Sequence, residues 1–214
     1  MEKKLIVLDS DGTLVDSLRF HLNYYNILSR FVNRKFWKDE KEFGNWCDSD
    51  YKVNFRRMGI SPDLEFVAKA LYFVFYHKNK HSIPIHQGVD KVLRVLNETD
   101  NHVAILSNNH DDTIRGKLDQ FNLLDYVHKI VSYDEPDHLR PKPHPDGLEF
   151  LMDHFKVFRE NTFFVGDMDI DGLTAAAAKV PFIWSAYGYH SKEKIRGPII
   201  HTLQKPEDLL EVLK

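Results

Sequence analysis

Leu5-Ile6-Val7-Leu8-Asp9-Ser10-Asp11-Gly12-Thr13 is the stretch that decides the fold. Its apolar run is too short for a helix and reads as a strand buried on both faces, which is how strands of a parallel sheet read. The run ends in two carboxylates. In an open parallel sheet, ligands bind beyond the carboxyl ends of the strands, so Asp9 and Asp11 are expected at the active edge. Two residues apart, they repel unless a cation lies between them, which suits Mg²⁺ with its demand for oxygen ligands. Gly12 lets the chain turn sharply and re-aim Asp11.

Further apolar runs repeat the signal at Val103 to Leu106, Thr162 to Val165 and Pro181 to Trp184, with Lys129 to Ser132 weaker. Helix-length amphipathic segments lie among them at Asp111 to Gln120, Pro145 to Lys156 and Asp171 to Lys179. Strand alternating with helix implies an α/β fold, a doubly wound parallel sheet covered on both faces. The first interval breaks that rhythm, because about ninety residues separate Asp9 from Val103 where one crossover helix would suffice.

That surplus is read as an insertion. Residues 1–15 and 84–214 are expected to form the α/β core, and residues 16–83 a helical domain. Phe20, Tyr24, Leu28 and Phe31 recur at helical spacing, as do Phe66, Ala70, Phe73 and Val74, and both stripes are expected to be helix-packing core. Ile83-Pro84-Ile85-His86-Gln87-Gly88 reads as the return linker, and Val89 to Leu96 restarts a core helix.

Composition excludes several classes. The chain has 214 residues, 43% apolar and 29% charged, ordinary for a globular protein. Its apolar runs fall short of the roughly 18 residues of a membrane span. The opening Met1-Glu2-Lys3-Lys4 leads directly into the first strand, so a cytoplasmic protein is expected. With 29 basic residues scattered among 32 acidic ones and a net charge of −3, there is no footprint for nucleic acid. The 12 histidines are dispersed, without a zinc-ligand spacing, and Cys47, the one cysteine, is expected to be a buried thiol.

Three further segments carry chemistry. Leu106-Ser107-Asn108-Asn109 ends the second strand, where a hydroxyl and free backbone N–H groups can cradle phosphate. Arg140-Pro141-Lys142-Pro143-His144-Pro145 holds a lysine in a stiff loop, placed to offset negative charge on a transferring group. Gly166-Asp167-Met168-Asp169-Ile170-Asp171-Gly172 brings more carboxylates to a strand end. Its spacing invites a calcium-loop reading, which fails because Ala178 stands where the bidentate glutamate belongs.

In this order and spacing, the segments resemble the haloacid dehalogenase-like hydrolase superfamily, with its Rossmann-like core. The insertion falls where the helical cap of its phosphoglycolate phosphatase and β-phosphoglucomutase group is placed. The resemblance implies Asp9 as nucleophile, Asp11 as general acid and base, Ser107 and Lys142 as stabilisers of phosphate and charge, and Asn108 at the substrate. It implies Mg²⁺ held by Asp9, Asp11, Asp167 and Asp171. An acid at Asp11 favours phosphoryl transfer over dehalogenation, since a halide needs no proton on leaving. Ser10 departs from the bulky apolar residue usual between the two aspartates, and the glycine common before the last strand is missing from Ala178-Lys179-Val180-Pro181. Asp169 has no counterpart and is treated as a bystander or outer-shell group.

The expected activity is therefore Mg²⁺-dependent hydrolysis of a small phosphate monoester, phosphoglycolate-like, through an aspartyl-phosphate. A sugar-phosphate mutase and a catalytically silent metal-binding interaction module are the alternatives. Specificity is expected from the cap and from a hinge around Val15-Asp16 and Ile83-Pro84. His21 resembles a residue facing the site in capped relatives, and Arg56, Arg57 and Lys52 could meet a second anionic group of the substrate.

Overall fold

The structure, a computed structural model of the chain, describes residues 3–32, 37–132, 134 and 139–214. Met1 and Glu2 of the expected core, residues 33–36 of the expected insertion, and residues 133 and 135–138 lie outside the described residues.

Strands β1 (Leu5–Leu8), β2 (His102–Leu106), β3 (Lys129–Val131), β4 (Thr162–Gly166), β5 (Phe182–Ser185) and β6 (Ile199–Leu203) form one sheet in the order β3-β2-β1-β4-β5-β6. Every pairing is parallel. The order reverses at β1, which lies between β2 and β4. Such a reversal opens a crevice at the strand ends, because the connections leave on opposite faces of the sheet.

The burial of β1 explains its continuous apolar sequence. Ile6 and Leu8 join a core with Val92, Leu93 and Ile114 on one face, and Leu5 and Val7 join a second core with Leu148, Leu151 and Ala175 on the other. Helices α5 (Val89–Asn97), α6 (Asp111–Gln120) and α9 (Asp208–Val212) supply the first face; α7 (Asp146–Phe155) and α8 (Asp169–Ala178) supply the second. β6 and α9 are absent from the strand and helix pattern read from sequence. The middle of β6 is exposed, since it is an edge strand, so it lacks the solid apolar run of a central one.

Between β1 and α5 lie helices α1 (Leu18–Phe31), α2 (Glu40–Trp46), α3 (Tyr51–Met58) and α4 (Glu65–Asn79). Asp39 and Asp50 cap α2 and α3 through their side chains, and Gly59 ends α3 in the left-handed conformation at φ 77°. These helices pack around a third cluster with Tyr24, Tyr25, Phe43, Phe55 and Met58, which Tyr189 from beyond β5 also joins. Cys47 belongs to it, and burial pushes its thiol up to about 12. The chain enters and leaves this region side by side: Asp16 donates to the Pro84 carbonyl at 3.0 Å and His86 to that of Leu14 at 2.9 Å.

One expectation is corrected here. Phe66, Phe73 and Val74 are exposed at 79%, 62% and 63%, whereas Ala68, Leu71, Tyr72 and Phe75 of the same helix face the interior. Helix α4 is apolar on more than one side, so periodicity alone did not tell which side is packed. Phe31, the last residue of α1, is exposed as well. Among the described residues, no helix is long and apolar enough to cross a membrane.

Candidate active site

The register of β1 sets Leu8 beside Ile105 of β2 and Val165 of β4. Asp9 follows at once, its N–H donating to the Val165 carbonyl at 2.9 Å. Ser107 and Asp167 lie two residues beyond those partners, so three strands deliver polar groups to one rim of the sheet. Ser107 is buried, and its Oγ accepts from the Asn109 N–H at 3.2 Å.

Lys142 reaches this rim from the loop before α7. Its Nζ stands 2.8 Å from Asp9 Oδ1 and 2.7 Å from Asp171 Oδ1, and all three side chains are buried. Burial alone would strip the charge from the ammonium, but the two carboxylates hold its pKa above the ordinary lysine value. Removing one partner of such a buried pair typically costs about 3–5 kcal/mol, since the other charge is left without compensation.

The acidic side is in excess. Ligand oxygens of Asp9, Asp167 and Asp171 all lie within 4.8 Å of one another. Burial raises Asp9 to about 7 against the pull of Lys142, and burial with Asp171 and Asp9 nearby raises Asp167 well above the carboxylate range. One lysine offsets one of three carboxylates. A divalent cation would balance the remainder, and an all-oxygen donor set at the end of strands fits Mg²⁺ chemistry.

Each carboxylate is also aimed. Asp167 accepts from the Thr13 hydroxyl at 3.0 Å and the Tyr189 N–H at 2.8 Å. Asp171 Oδ2 accepts from the N–H groups of Asp167 at 3.2 Å and Met168 at 2.9 Å. Gly12, at φ +81°, is required here twice over, for a Cβ at that position would lie 2.2 Å from Asp167 Oδ2.

Several expected site residues are placed differently. The carboxylate of Asp11 is not in the acidic cluster; it lines an adjoining cleft and accepts from Asn109 Nδ2 at 2.8 Å. Asn108, expected at the substrate, holds the backbone of Lys142 reciprocally, donating to its carbonyl at 3.1 Å and accepting from its N–H at 2.9 Å. Arg56, Arg57 and Lys52 are exposed on α3 and do not line the cleft. The Arg57 guanidinium is spent on the Trp46 carbonyl at 2.7 Å and on Asp48 at 3.3 Å. Asp169 turns outward to Arg196.

A cleft adjoins Asp11. Phe20, His21, Tyr72 and Tyr76 form its wall from the helical insertion. His21 Nδ1 lies 3.1 Å from the Ser17 carbonyl and 2.6 Å from the Tyr189 hydroxyl, while Nε2 lies 3.3 Å from that of Tyr72. Burial lowers its pKa below the ordinary histidine range.

On the core side stand Asn109, Thr113 and Lys117. Lys117 Nζ donates to the carbonyls of Lys80 at 2.6 Å and Ile83 at 2.9 Å, and to Gln120 Oε1 at 3.0 Å. Three charge-assisted bonds, each worth about 1.5–3 kcal/mol, commit that ammonium to the end of α4 and the return linker. Asn109, Tyr72, Tyr76 and Lys117 were missed from sequence. Asn109 alone had a signal, its place two residues after Ser107 at a strand end.

Comparison with known proteins bears on the family and the fold. The family profile described as haloacid dehalogenase-like hydrolase matches residues 6–185. Phosphoglycolate phosphatase 1 of Pseudomonas aeruginosa is 28% identical over 195 residues, covering 87% of this chain and 71% of that protein. Pyrophosphatase PpaX of Halalkalibacterium halodurans is 23% identical over 220 residues, covering 100% and 98%. Among solved structures, a predicted phosphoglycolate phosphatase from Haemophilus somnus superposes with a TM-score of 0.85 at 21% identity, covering 100% of this chain and 99% of that one. One from Lactobacillus plantarum, described as a putative phosphoglycolate phosphatase, gives 0.82 at 20% identity, covering 99% and 100%. With the family profile spanning nearly the whole sheet and both acidic strand ends, the chain belongs to the haloacid dehalogenase-like hydrolases.

Proposed function

We propose that this hydrolase is a Mg²⁺-dependent phosphatase of small phosphate monoesters, working through an aspartyl-phosphate on Asp9. The observation that carries the reading is the contact of Lys142 with both Asp9 and Asp171, beside Asp167 and next to a cleft lined by Asp11. Phosphatase names among the relatives support it.

Lys142 holds Asp9 Oδ1, which leaves Oδ2 to attack phosphorus. As that P–O bond forms, the ester P–O bond breaks, and the departing oxygen takes the proton of Asp11. Asp11, now ionised, takes a proton from water, whose oxygen attacks the phosphoryl group. The bond to Asp9 then breaks, releasing inorganic phosphate and restoring both carboxyl groups. The Lys142 ammonium stays beside the charge that develops. Asp9, Asp167 and Asp171 would hold Mg²⁺, which when bound offsets repulsion between carboxylate and phosphate. Residues 16–83 serve as the cap that keeps bulk water and large substrates out.

A phosphate-release panel tests the reading: phosphoglycolate, sugar phosphates, nucleoside monophosphates and pyrophosphate, each with Mg²⁺ and with chelator. Turnover is expected only with the metal, and Asp9→Asn should abolish it. Full activity in Asp9→Asn would remove Asp9 as nucleophile.

A further inference from the structure

Among the described residues, the wall that faces Asp11 across the cleft offers hydroxyl groups and aromatic surface, but no cation free to meet an anion. From the helical insertion come Phe20, His21, Tyr72 and Tyr76, none of them carrying a fixed charge. Burial works against a charge on the His21 imidazole. Its Nδ1 lies 3.1 Å from the Ser17 carbonyl and 2.6 Å from the Tyr189 hydroxyl, and its Nε2 lies 3.3 Å from the Tyr72 hydroxyl.

Among the described residues, the lining contains one lysine and no arginine. Lys117 has three ammonium protons, and the carbonyls of Lys80 and Ile83 with the Gln120 amide take all three. Arg56, Arg57 and Lys52, the cations that would have suited a second anionic group, are exposed on α3 and outside the lining.

We infer that the leaving group this cleft accepts is uncharged and hydroxyl-bearing, so that the chain prefers phosphate monoesters of neutral polyols and alcohols to phosphorylated carboxylic acids. The inference rests on the phosphatase reading of the same site. Tyr72 is its specificity-determining residue: it lines the cleft, and its hydroxyl, weakly engaged by His21, is available to a substrate hydroxyl.

The test compares near-isosteric esters with Mg²⁺ present: 2-hydroxyethyl phosphate, 2-phosphoglycolate and ethyl phosphate, with para-nitrophenyl phosphate reporting the phosphoryl-transfer groups alone. Hydroxyethyl phosphate should exceed phosphoglycolate in kcat/KM by about ten-fold or more, the scale of a buried charge left unpaired. Tyr72→Phe should lower kcat/KM for hydroxyethyl phosphate by about three- to ten-fold, with a smaller change for ethyl phosphate, which has no second hydroxyl. Phosphoglycolate equal to or better than hydroxyethyl phosphate, alongside turnover of para-nitrophenyl phosphate, overturns the inference and leaves the phosphatase reading standing. No phosphate released from any of the four overturns both.

Discussion

Asn109 donates its amide to Asp11 at 2.8 Å, so the residue two past the end-of-strand serine fixes the direction of the proposed general acid. A group that steers an acid matters in proportion to how much the leaving oxygen needs a proton. Asn109→Ala is expected to lower kcat by about 10- to 100-fold for an alkyl phosphate, within the range of general acid catalysis, but only a few-fold for para-nitrophenyl phosphate. Equal losses on both esters, measured by phosphate release, would make Asn109 a merely structural residue.

Lys142 is the sole lysine or arginine recorded in contact with the acidic cluster among the described residues. Replacing it by methionine leaves Asp9 and Asp171 facing each other without a counter-charge. Lys142→Met should lose about 3–5 kcal/mol in urea unfolding measured with chelator present. Added Mg²⁺ should recover part of that loss, because binding to the folded state alone stabilises it. A loss below about 1 kcal/mol, a surface-pair value, would contradict the burial of this contact.

Gly12 occupies a position where a side chain has neither a favourable backbone conformation nor room, with Asp167 2.2 Å from the site of a Cβ. Gly12→Ala should push the Asp167 carboxylate out of place. The Mg²⁺ concentration for half-maximal activity is expected to rise by about ten-fold or more, the effect typical of disturbing a metal ligand's support. An unchanged metal titration would show that Asp167 does not hold the ion.

Burial pulls the imidazoles of His21, His86 and His190 below the ordinary histidine pKa. Below pH of about 6.5 the unfolded chain binds protons at these residues that the folded chain resists, so their contribution to stability falls as pH falls. Asp9 and Asp167, raised by burial, act with the opposite sign: their folded forms take up protons first, and the stability they add on acidification is lost as pH rises. The histidine part is isolated by difference. His190 accepts from the Asp169 N–H at 3.1 Å and lies 3.0 Å from the Cys47 carbonyl, so glutamine can replace both contacts. His190→Gln should lose less stability than the parent between pH 7 and pH 5 by urea titration, and an identical slope would show that His190 does not resist protonation.

Much of the fold could be read directly. A strand buried on both faces has to be apolar throughout, so Leu5–Leu8, Val103–Leu106 and Thr162–Val165 announced themselves, and their common polarity followed from the helices between them. β6 did not, because an edge strand with exposed His201 and Thr202 makes no such demand on its sequence. The stripe at Phe66, Phe73 and Val74 read as core and is exposed; apolar periodicity marks a face of a helix but not what covers it.

The site divides in the same way. Sequence alone determined that Asp9, Asp11, Ser107 and Asp167 sit at strand ends, because strand ends are where an apolar run stops and polar chemistry begins. Only the tertiary structure decided that Asp9, Asp167 and Asp171 gather in one cluster with Lys142 on Asp9 and Asp171, while Asp11 turns to Asn109 and the cleft. It also decided that Asn108 grips a backbone, that Arg57 is spent on Asp48, and that Tyr72 and Lys117 line the cleft. Those roles depend on which groups from distant parts of the chain arrive within hydrogen-bond range. That range is about 3 Å, and no spacing along the chain encodes it.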